Sequence, residues 1–156
     1  RTFRLLELVN EILLTLHPTL KKTPFTVEVD VPEGLWLESY PGPLGQVLVN
    51  LINNALTHGL EGYAQGCIWI NARALDREWI ELAFSDNGSG IPEDNLQRIF
   101  DPFFTTRLGQ GGSGLGLNIT HNLVSGILGG SLSVSSVPGQ GTRFVLRLPL
   151  VAPGGQ

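Results

Sequence analysis

Methionine is absent from this 156-residue chain, and cysteine occurs only once, as Cys67. A single cysteine excludes an internal disulfide, which fits the cytoplasm, and its place in an apolar run predicts a small core residue. Because methionine is missing and the chain starts at Arg1, we expect an excised piece of a longer protein. Targeting segments or a membrane anchor of that parent protein would then lie outside this sequence.

Charged side chains are also scarce, at 15% of residues against 42% hydrophobic. This balance excludes intrinsic disorder and indicates one globular domain. No apolar run approaches the ~20 residues that span a bilayer. The net charge of −4 argues against nucleic acid as a partner, because phosphate backbones attract positive surfaces. An anionic ligand would have to be held by local donors, helix dipoles or a metal ion.

The spacing of apolar residues predicts an α+β domain over residues 1–150, beginning with a helix within 1–20, and a loose Pro/Gly-rich tail at 151–156. Helical periodicity is found over 5–16 (ending near Pro18), from Pro43 to Gly59, over a short stretch up to about Phe100, and over 117–127. Alternation predicts strands over 25–31, 35–40, 67–72, 79–85, 131–137 and 142–149. Because strands follow one another in pairs, we expect a two-layer sandwich with a mixed, mostly antiparallel sheet and helices on one face.

The predicted helix from Pro43 to Gly59 has an unusual polar face. Asn50, Asn54 and His58 recur every four residues and form one ridge, although asparagine is a poor helix former. A solvated face would normally carry Glu and Lys, so the ridge is predicted to contact a ligand. The side-chain oxygen of Asn54 suits Mg²⁺, which takes oxygen ligands and shares its remaining positions between phosphates and water.

A glycine-rich stretch precedes the last predicted helix. Gly112, Ser113, Gly114 and Gly116 let the backbone approach a ligand closely. The helix start that follows offers unpaired N–H groups and the positive end of the helix dipole. Together these features predict a phosphate site.

Asp86 ends a predicted strand and is followed by Gly88 and Gly90. A carboxylate only accepts hydrogen bonds, so an exocyclic amine such as N6 of adenine is a fitting partner. The two glycines would let a flat ring lie against bare backbone. A plain Asp-Gly turn is the alternative interpretation of this stretch.

Two other nucleotide-binding motifs are rejected. Gly109, Gly111 and Gly114 match the spacing of the dinucleotide fingerprint, but no strand precedes them and no acidic residue lies about 20 positions on. A P-loop is excluded because the chain has no Gly-Lys-Ser/Thr sequence.

Five segments, in order, resemble the ATP-binding catalytic domain of sensor histidine kinases. Residues 50–55 (NLINNA) resemble its N box, 86–92 (DNGSGIP) its first glycine box, 99–106 (IFDPFFTT) its F box, 112–117 (GSGLGL) its second glycine box and 139–144 (GQGTRF) its closing strand. The match covers nearly the whole chain. It implies a Bergerat-type α/β sandwich, shared with type II topoisomerases, a heat-shock chaperone and mismatch-repair ATPases.

The resemblance implies ATP and Mg²⁺ as cofactors. Asn54 resembles the metal ligand and Asp86 the adenine ligand, while Thr142 resembles a hydroxyl that helps to hold adenine. Arg98 stands where many members carry a basic residue near the γ-phosphate, so that Asn50, Asn54 and Arg98 are the expected catalytic residues. The other residues expected at the nucleotide are Thr57, His58, Gly88, Gly90, Ile91, Phe100, Thr106, Arg107, Gly112, Ser113, Gly114, Leu115, Gly116 and Leu117.

The sequence departs from the family pattern at two positions. Thr57 stands where a lysine is frequent, which implies that one phosphate contact is lost or passes to His58 or Arg107. Leu128 stands where a histidine commonly precedes the final glycine pair, without an expected chemical consequence.

Asn50 favours phosphotransfer over hydrolysis. Hydrolysing relatives carry a glutamate at this position as the base that activates water, and an amide does not accept a proton near neutral pH. A neutral histidine acceptor attacks with its own lone pair, so positioning and charge stabilisation suffice. The acceptor is expected outside this chain, because His17 lacks the sequence context of a family phosphoacceptor and His121 is predicted to be exposed.

The resemblance implies two partners: a dimerisation and histidine phosphotransfer domain in the parent protein, and a downstream response regulator. It also implies a homodimeric parent and a monomeric fragment. Two alternatives remain open, an ATP-gated interaction module and a serine kinase of the anti-sigma type. The latter shares the Asn-Ala-x-x-His-Gly pattern at 54–59 but usually keeps the glutamate that is missing at position 50.

Overall fold

The computed structural model describes residues 1–101 and 115–154, with backbone alone for Leu115 and Gly116. In chain order the elements are β1 (Thr2–Arg4), α1 (Leu5–Leu20), β2 (Phe25–Asp30), β3 (Trp36–Glu38), α2 (Pro41–Asn54) continued by a π-helical turn (Ala55–Gly59), β4 (Gly66–Ala74), β5 (Trp79–Asp86), α3 (Glu93–Leu96), α4 (Leu115–Asn122) continued by a π-helical turn (Leu123–Ile127), β6 (Ser131–Val137) and β7 (Gly141–Pro149).

The main sheet has five strands in the order β2-β4-β5-β7-β6. β2 pairs with β4 in parallel, and the other neighbours are antiparallel. Ile80, Leu82 and Phe84 of the central strand β5 are buried, as their alternation with polar residues predicts. The predicted mixed, mostly antiparallel sheet with helices on one face is therefore confirmed.

Helix α2 lies at the centre of the helical layer, in contact with both α1 and α4. Its predicted apolar stripe is buried, including Leu44, Leu48, Leu51 and Ile52. After Asn54 the helix widens into a π turn, in which the backbone N–H of Leu60 donates to the carbonyl of Ala55 at 2.8 Å. Bonds of the i→i+5 type change the stacking of side chains, so the predicted ridge is regular only as far as Asn54.

The chain begins with a strand that the sequence did not predict. β1 pairs antiparallel with β3, and Phe3 lies opposite Leu37. Both side chains are buried in the core. Three residues are too few to show an alternating pattern, so the pairing with β3 decides their conformation.

Residues 151–154 of the predicted loose tail pack against the edge of β3, while 155–156 lie outside the described residues. Val151 forms a parallel bridge with Glu38, and the backbone N–H of Ala152 donates to the Glu38 carbonyl at 2.8 Å. Ala152 is buried, and the Tyr40 hydroxyl donates to the Pro153 carbonyl at 2.9 Å. The free edge of β3 thus holds a segment whose composition alone suggests disorder.

Several predicted boundaries differ from the structure. α1 runs two residues past Pro18, since the N–H of Lys21 closes the last turn on the His17 carbonyl at 2.9 Å. α2 starts at Pro41 and not at Pro43, both being acceptable first-turn residues. α3 ends at Leu96, well before Phe100.

Cys67 is half-buried and not a core residue as predicted. Ile68 and Ile70 of the same strand point into the core, so the pleat directs Cys67 to the opposite face. No helix among the described residues is long and apolar enough to cross a membrane.

Candidate functional site

Asp86 is a buried carboxylate at the end of the central strand. It lies on the core-facing side of β5 with 8% of its surface exposed. Its Oδ1 accepts a hydrogen bond from the Gly88 N–H at 2.9 Å, and the carboxylate also accepts one from the backbone N–H of Thr142. Burial raises the pKa of the Asp86 carboxyl above its ordinary value, and these two backbone N–H groups only partly oppose that shift. The ionised form is therefore a cost to the fold at neutral pH, which is typical of a group kept for function.

Three backbone segments meet around this carboxylate, each at a glycine. A Cβ atom on Gly59 would lie 2.8 Å from Asp86 Oδ2, and one on Gly88 would lie 1.8 Å from the Gly59 carbonyl oxygen. At Gly141, where φ is +104°, a Cβ atom would lie 1.9 Å from the Asp86 carbonyl oxygen. Glycine is needed at these positions because the space of a side chain is occupied, by the Asp86 carboxylate at Gly59 and by neighbouring backbone at Gly88 and Gly141.

This packing gives Gly88 and Gly90 a structural role that the sequence analysis did not predict. They were expected to leave bare backbone for a flat ring, but their Cβ positions face protein atoms. At Gly88 the nearest atom is the Gly59 carbonyl oxygen. At Gly90, whose φ is +75°, it is the Val137 carbonyl oxygen, at 2.6 Å. Contact of a ligand with other atoms of these two residues stays a prediction.

The two asparagines of α2 differ in their surroundings. Asn50 Nδ2 donates to the Thr120 hydroxyl at 3.1 Å, and Asn50 Oδ1 accepts from Gln46 Nε2 at 2.8 Å. Thr120 is fully buried on α4. Asn50 therefore joins α2 to the helix that follows the glycine-rich stretch. The half-buried carboxamide of Asn54 makes no hydrogen bond with the described part of the chain, so its oxygen is available to a ligand.

Thr142 is held in a small polar cluster. It is 5% exposed, and its hydroxyl lies 3.2 Å from the Ser136 hydroxyl. The Ser136 oxygen also accepts from the Ile91 N–H at 2.7 Å, while its hydrogen goes to the Gly141 carbonyl at 2.8 Å. Because β5 and β7 place Thr142 directly opposite Asp86, this cluster borders the carboxylate.

The first two residues of the F-box segment, Ile99 and Phe100, are buried or half-buried. Ile99 is buried, and the half-buried Phe100 ring lies 5.1 Å from the His121 ring, centroid to centroid. His121 was predicted to be exposed, but this contact leaves it half-buried. Arg98 is at the surface of the preceding turn.

The remaining predicted residues are distributed unevenly. Thr57 is exposed and His58 half-buried on the π turn after α2, while the Leu117 side chain belongs to the core. The structure gives Leu115 and Gly116 as the helical start of α4. The other residues predicted at the nucleotide lie outside the described part of the chain; they are Thr106, Arg107, Gly112, Ser113 and Gly114.

Sequence reasoning missed Thr120 and Ser136, and it took Gly59 only as a helix stop. Thr120 contacts Asn50, 70 positions away, Ser136 contacts Ile91, 45 positions away, and Gly59 contacts Ser89, 30 positions away, so no local pattern marks these contacts. In the structure Thr142 lies opposite Asp86 and is joined to Ile91 through Ser136, and Asn50 connects α2 to α4.

Comparison with known proteins gives a consistent result. A family model described as histidine kinase-, DNA gyrase B- and HSP90-like ATPase matches residues 40–152. The two-component sensor PprA of Pseudomonas aeruginosa is 40% identical over 133 residues, which are 81% of this chain and 14% of that protein. Sensor histidine kinase RcsC of Escherichia coli is 39% identical over 128 residues, 80% of this chain and 13% of that protein.

Solved structures with the same fold include the nucleotide-free catalytic domain of histidine kinase ThkA. Its TM-score is 0.82 at 30% identity, over 100% of this chain and 98% of that one. Full-length ShkA in complex with AMPPNP gives a TM-score of 0.78 at 25% identity, over 96% of this chain and 30% of that one. The chain spans about one seventh of the length of PprA and RcsC.

Proposed function

The chain belongs to the histidine kinase-, DNA gyrase B- and HSP90-like ATPases, and on that premise we propose that it binds Mg-ATP and donates the γ-phosphoryl group to a histidine elsewhere in its parent protein. The predicted resemblance to the catalytic domain of sensor histidine kinases is confirmed. The acceptor histidine, its dimerisation domain, a homodimeric parent and a response regulator that receives the phosphoryl group are parts of the proposal.

The observation that carries the proposal is the buried Asp86 carboxylate. It receives two backbone N–H groups and no cation among the described residues, so lone pairs remain for a ligand. An exocyclic amine of adenine satisfies them with donated hydrogens. Thr142 lies beside this position and supplies a further polar contact to the base.

The proposal puts the triphosphate near Asn54 and the start of α4. Asn54 offers a carboxamide oxygen that no described residue uses, which fits one protein ligand to Mg²⁺. When bound, Mg²⁺ would neutralise charge on the phosphate oxygens. The start of α4 supplies backbone N–H groups for the phosphates, and His58, Arg98 and Arg107 are the proposed side-chain contacts. Thr57 is proposed to lie near the nucleotide without replacing the phosphate contact of a lysine.

Asn54→Ala should remove most of the gain in nucleotide affinity that Mg²⁺ provides. We expect this gain to fall about tenfold, because a metal ligand is lost while the base contacts remain. Calorimetric titration with ADP, with and without Mg²⁺, measures it. The exposed neighbour Asn53 is the matched control, and equal Mg²⁺ dependence in Asn54→Ala and Asn53→Ala would remove Asn54 from the metal site.

The reaction is tested by supplying the histidine-bearing segment of the parent protein together with γ-labelled ATP. Label on that histidine supports phosphotransfer. Release of free phosphate without labelled protein would favour an ATPase. Nucleotide binding with neither outcome would favour an ATP-gated interaction module, and label on a serine would favour the anti-sigma type of kinase.

Asn50→Glu should raise the rate of ATP hydrolysis by roughly tenfold above the wild-type background. A carboxylate at this position accepts a proton from water, whereas the amide cannot. The increase is expected to be modest because the side chain is also engaged with Thr120 on α4. Asn50→Gln keeps the polarity without a base, and a phosphate-release assay in which both variants hydrolyse ATP equally would contradict the assigned role.

A further inference from the structure

Ser136 has a crowded hydroxyl at the end of β6. Three polar groups lie within hydrogen-bond distance of its oxygen: the Ile91 N–H at 2.7 Å, the Gly141 carbonyl at 2.8 Å and the Thr142 hydroxyl at 3.2 Å. These contacts join β6, β7 and the segment after Asp86 at one point.

The hydroxyl of Ser136 donates its hydrogen to the Gly141 carbonyl, as the chemistry of its three partners requires. A serine hydroxyl has a single hydrogen and two lone pairs. The Gly141 carbonyl can only accept, so it takes that hydrogen, and the Ile91 N–H can only donate to the Ser136 oxygen. The contact with Thr142 is therefore one in which Thr142 donates and Ser136 accepts. The Thr142 hydroxyl is left with lone pairs alone for any further partner.

Thr142 and Asp86 form a directly opposed pair in the β5–β7 ladder, and both are buried. The ionised Asp86 carboxylate also presents only lone pairs. A ligand that reaches both side chains thus meets two acceptors and no side-chain donor. An exocyclic amine has hydrogens to offer there, whereas an oxo group would place a third acceptor against them.

We propose that Ser136 is a specificity-determining residue, which fixes Thr142 as an acceptor and so makes the base site select 6-amino over 6-oxo purine nucleotides. Ser136 acts through Thr142 and is a positioning residue. The proposal rests on the proposed function in one respect, since it requires the base to lie at Asp86. Without the Ser136 hydroxyl, Thr142 can turn its hydrogen toward a 6-oxo group.

The test is the ratio of Mg-ADP to Mg-IDP affinity, measured by calorimetric titration of the full chain. The two ligands differ at position 6 of the purine. General damage to the fold would therefore lower both affinities and leave their ratio unchanged. Ser136→Ala should lower the ratio about three- to tenfold, chiefly through stronger retention of IDP. Ser136→Thr, which keeps the hydroxyl, should restore it.

Ser133 provides a control in the same strand, because its exposed hydroxyl contacts only the Val145 carbonyl, at 3.5 Å, among described groups. Ser133→Ala should leave the ratio at its wild-type value. If Ser136→Ala does not fold, Thr142→Val replaces it as the test variant. Thr142→Val removes one of the two acceptors, so it should also lower the ratio of Mg-ADP to Mg-IDP affinity. In a Thr142→Val background, adding Ser136→Ala should have no further effect.

An unchanged ratio in Ser136→Ala, or in Thr142→Val where only that variant folds, would overturn the proposal. Failure of the underlying function gives a different result, in which Mg-ADP does not bind, or binds equally well after Asp86→Asn. Weaker ADP binding in Asp86→Asn together with an unchanged ratio in Ser136→Ala contradicts the role of Ser136 alone.

Discussion

Asp86→Asn is expected to weaken Mg-ADP binding by roughly 10- to 150-fold, which corresponds to about 1.5–3 kcal/mol for a hydrogen bond to a charged group. The carboxylate lies in a buried position, so solvent does not replace the lost interaction. Asp30→Asn is the matched control, because Asp30 is exposed on the edge strand β2. Equal affinity in wild type and Asp86→Asn would mean that the base does not lie at Asp86.

The same substitution should not destabilise the ligand-free chain at neutral pH. Since burial raises the folded pKa of Asp86 above the ordinary value of 3.8, its contribution to stability is fully present below pH 3.8. That contribution is lost as the pH rises through the raised folded pKa. We therefore expect thermal unfolding of wild type and Asp86→Asn to diverge in favour of the variant as the pH rises from 4 to 7. A wild type that gains stability over the variant in this range would contradict the assigned shift.

Gly88→Ala is expected to lower the free energy of unfolding by about 3 kcal/mol, at the upper end of overpacking substitutions. The added Cβ atom would lie 1.8 Å from the Gly59 carbonyl oxygen and 3.0 Å from Asp86 Oδ1. The first of these atoms is backbone, so no side-chain rotation relieves the clash. Urea denaturation measures the loss through the midpoint at constant slope.

Gly126→Ala is the control for this substitution. Nothing lies within 4 Å of a Cβ atom at Gly126, which belongs to the π turn after α4. Its replacement should be neutral or stabilise the chain by about 0.5–1 kcal/mol, because alanine loses less backbone entropy on folding. If Gly88→Ala behaved like Gly126→Ala but bound Mg-ADP poorly, Gly88 would be a ligand-facing glycine, as the sequence alone suggested.

The local pattern of the sequence predicted most of the fold. Alternation along β5 and the apolar stripe of α2 are repeated over many residues, and the core they imply is the one observed. β1 and the segment 151–154 could not be found in this way. Each consists of a few residues held by hydrogen bonds to β3, so their conformation depends on a partner distant in sequence.

For the candidate site, too, the sequence predicted residues that stand out locally but not those whose role depends on distant partners. Asp86 and Asn54 stand out because their chemistry is unusual for their positions in a strand and a helix. Ser136 and Thr120 are ordinary residues in their own elements, and only the packing of β6 against β7 and of α2 against α4 gives them a role. Gly88 was recognised as special, but the atom that requires it belongs to Gly59, on another element.

Calorimetric titration of the chain with Mg-ADP tests the nucleotide site most directly. We expect saturable binding of one nucleotide per chain, stronger with Mg²⁺ than without it, and a strongly reduced affinity in Asp86→Asn. Absence of saturable binding by the folded wild-type chain, or binding that neither Mg²⁺ nor Asp86→Asn affects, would contradict the assignment of this site to Mg-ATP.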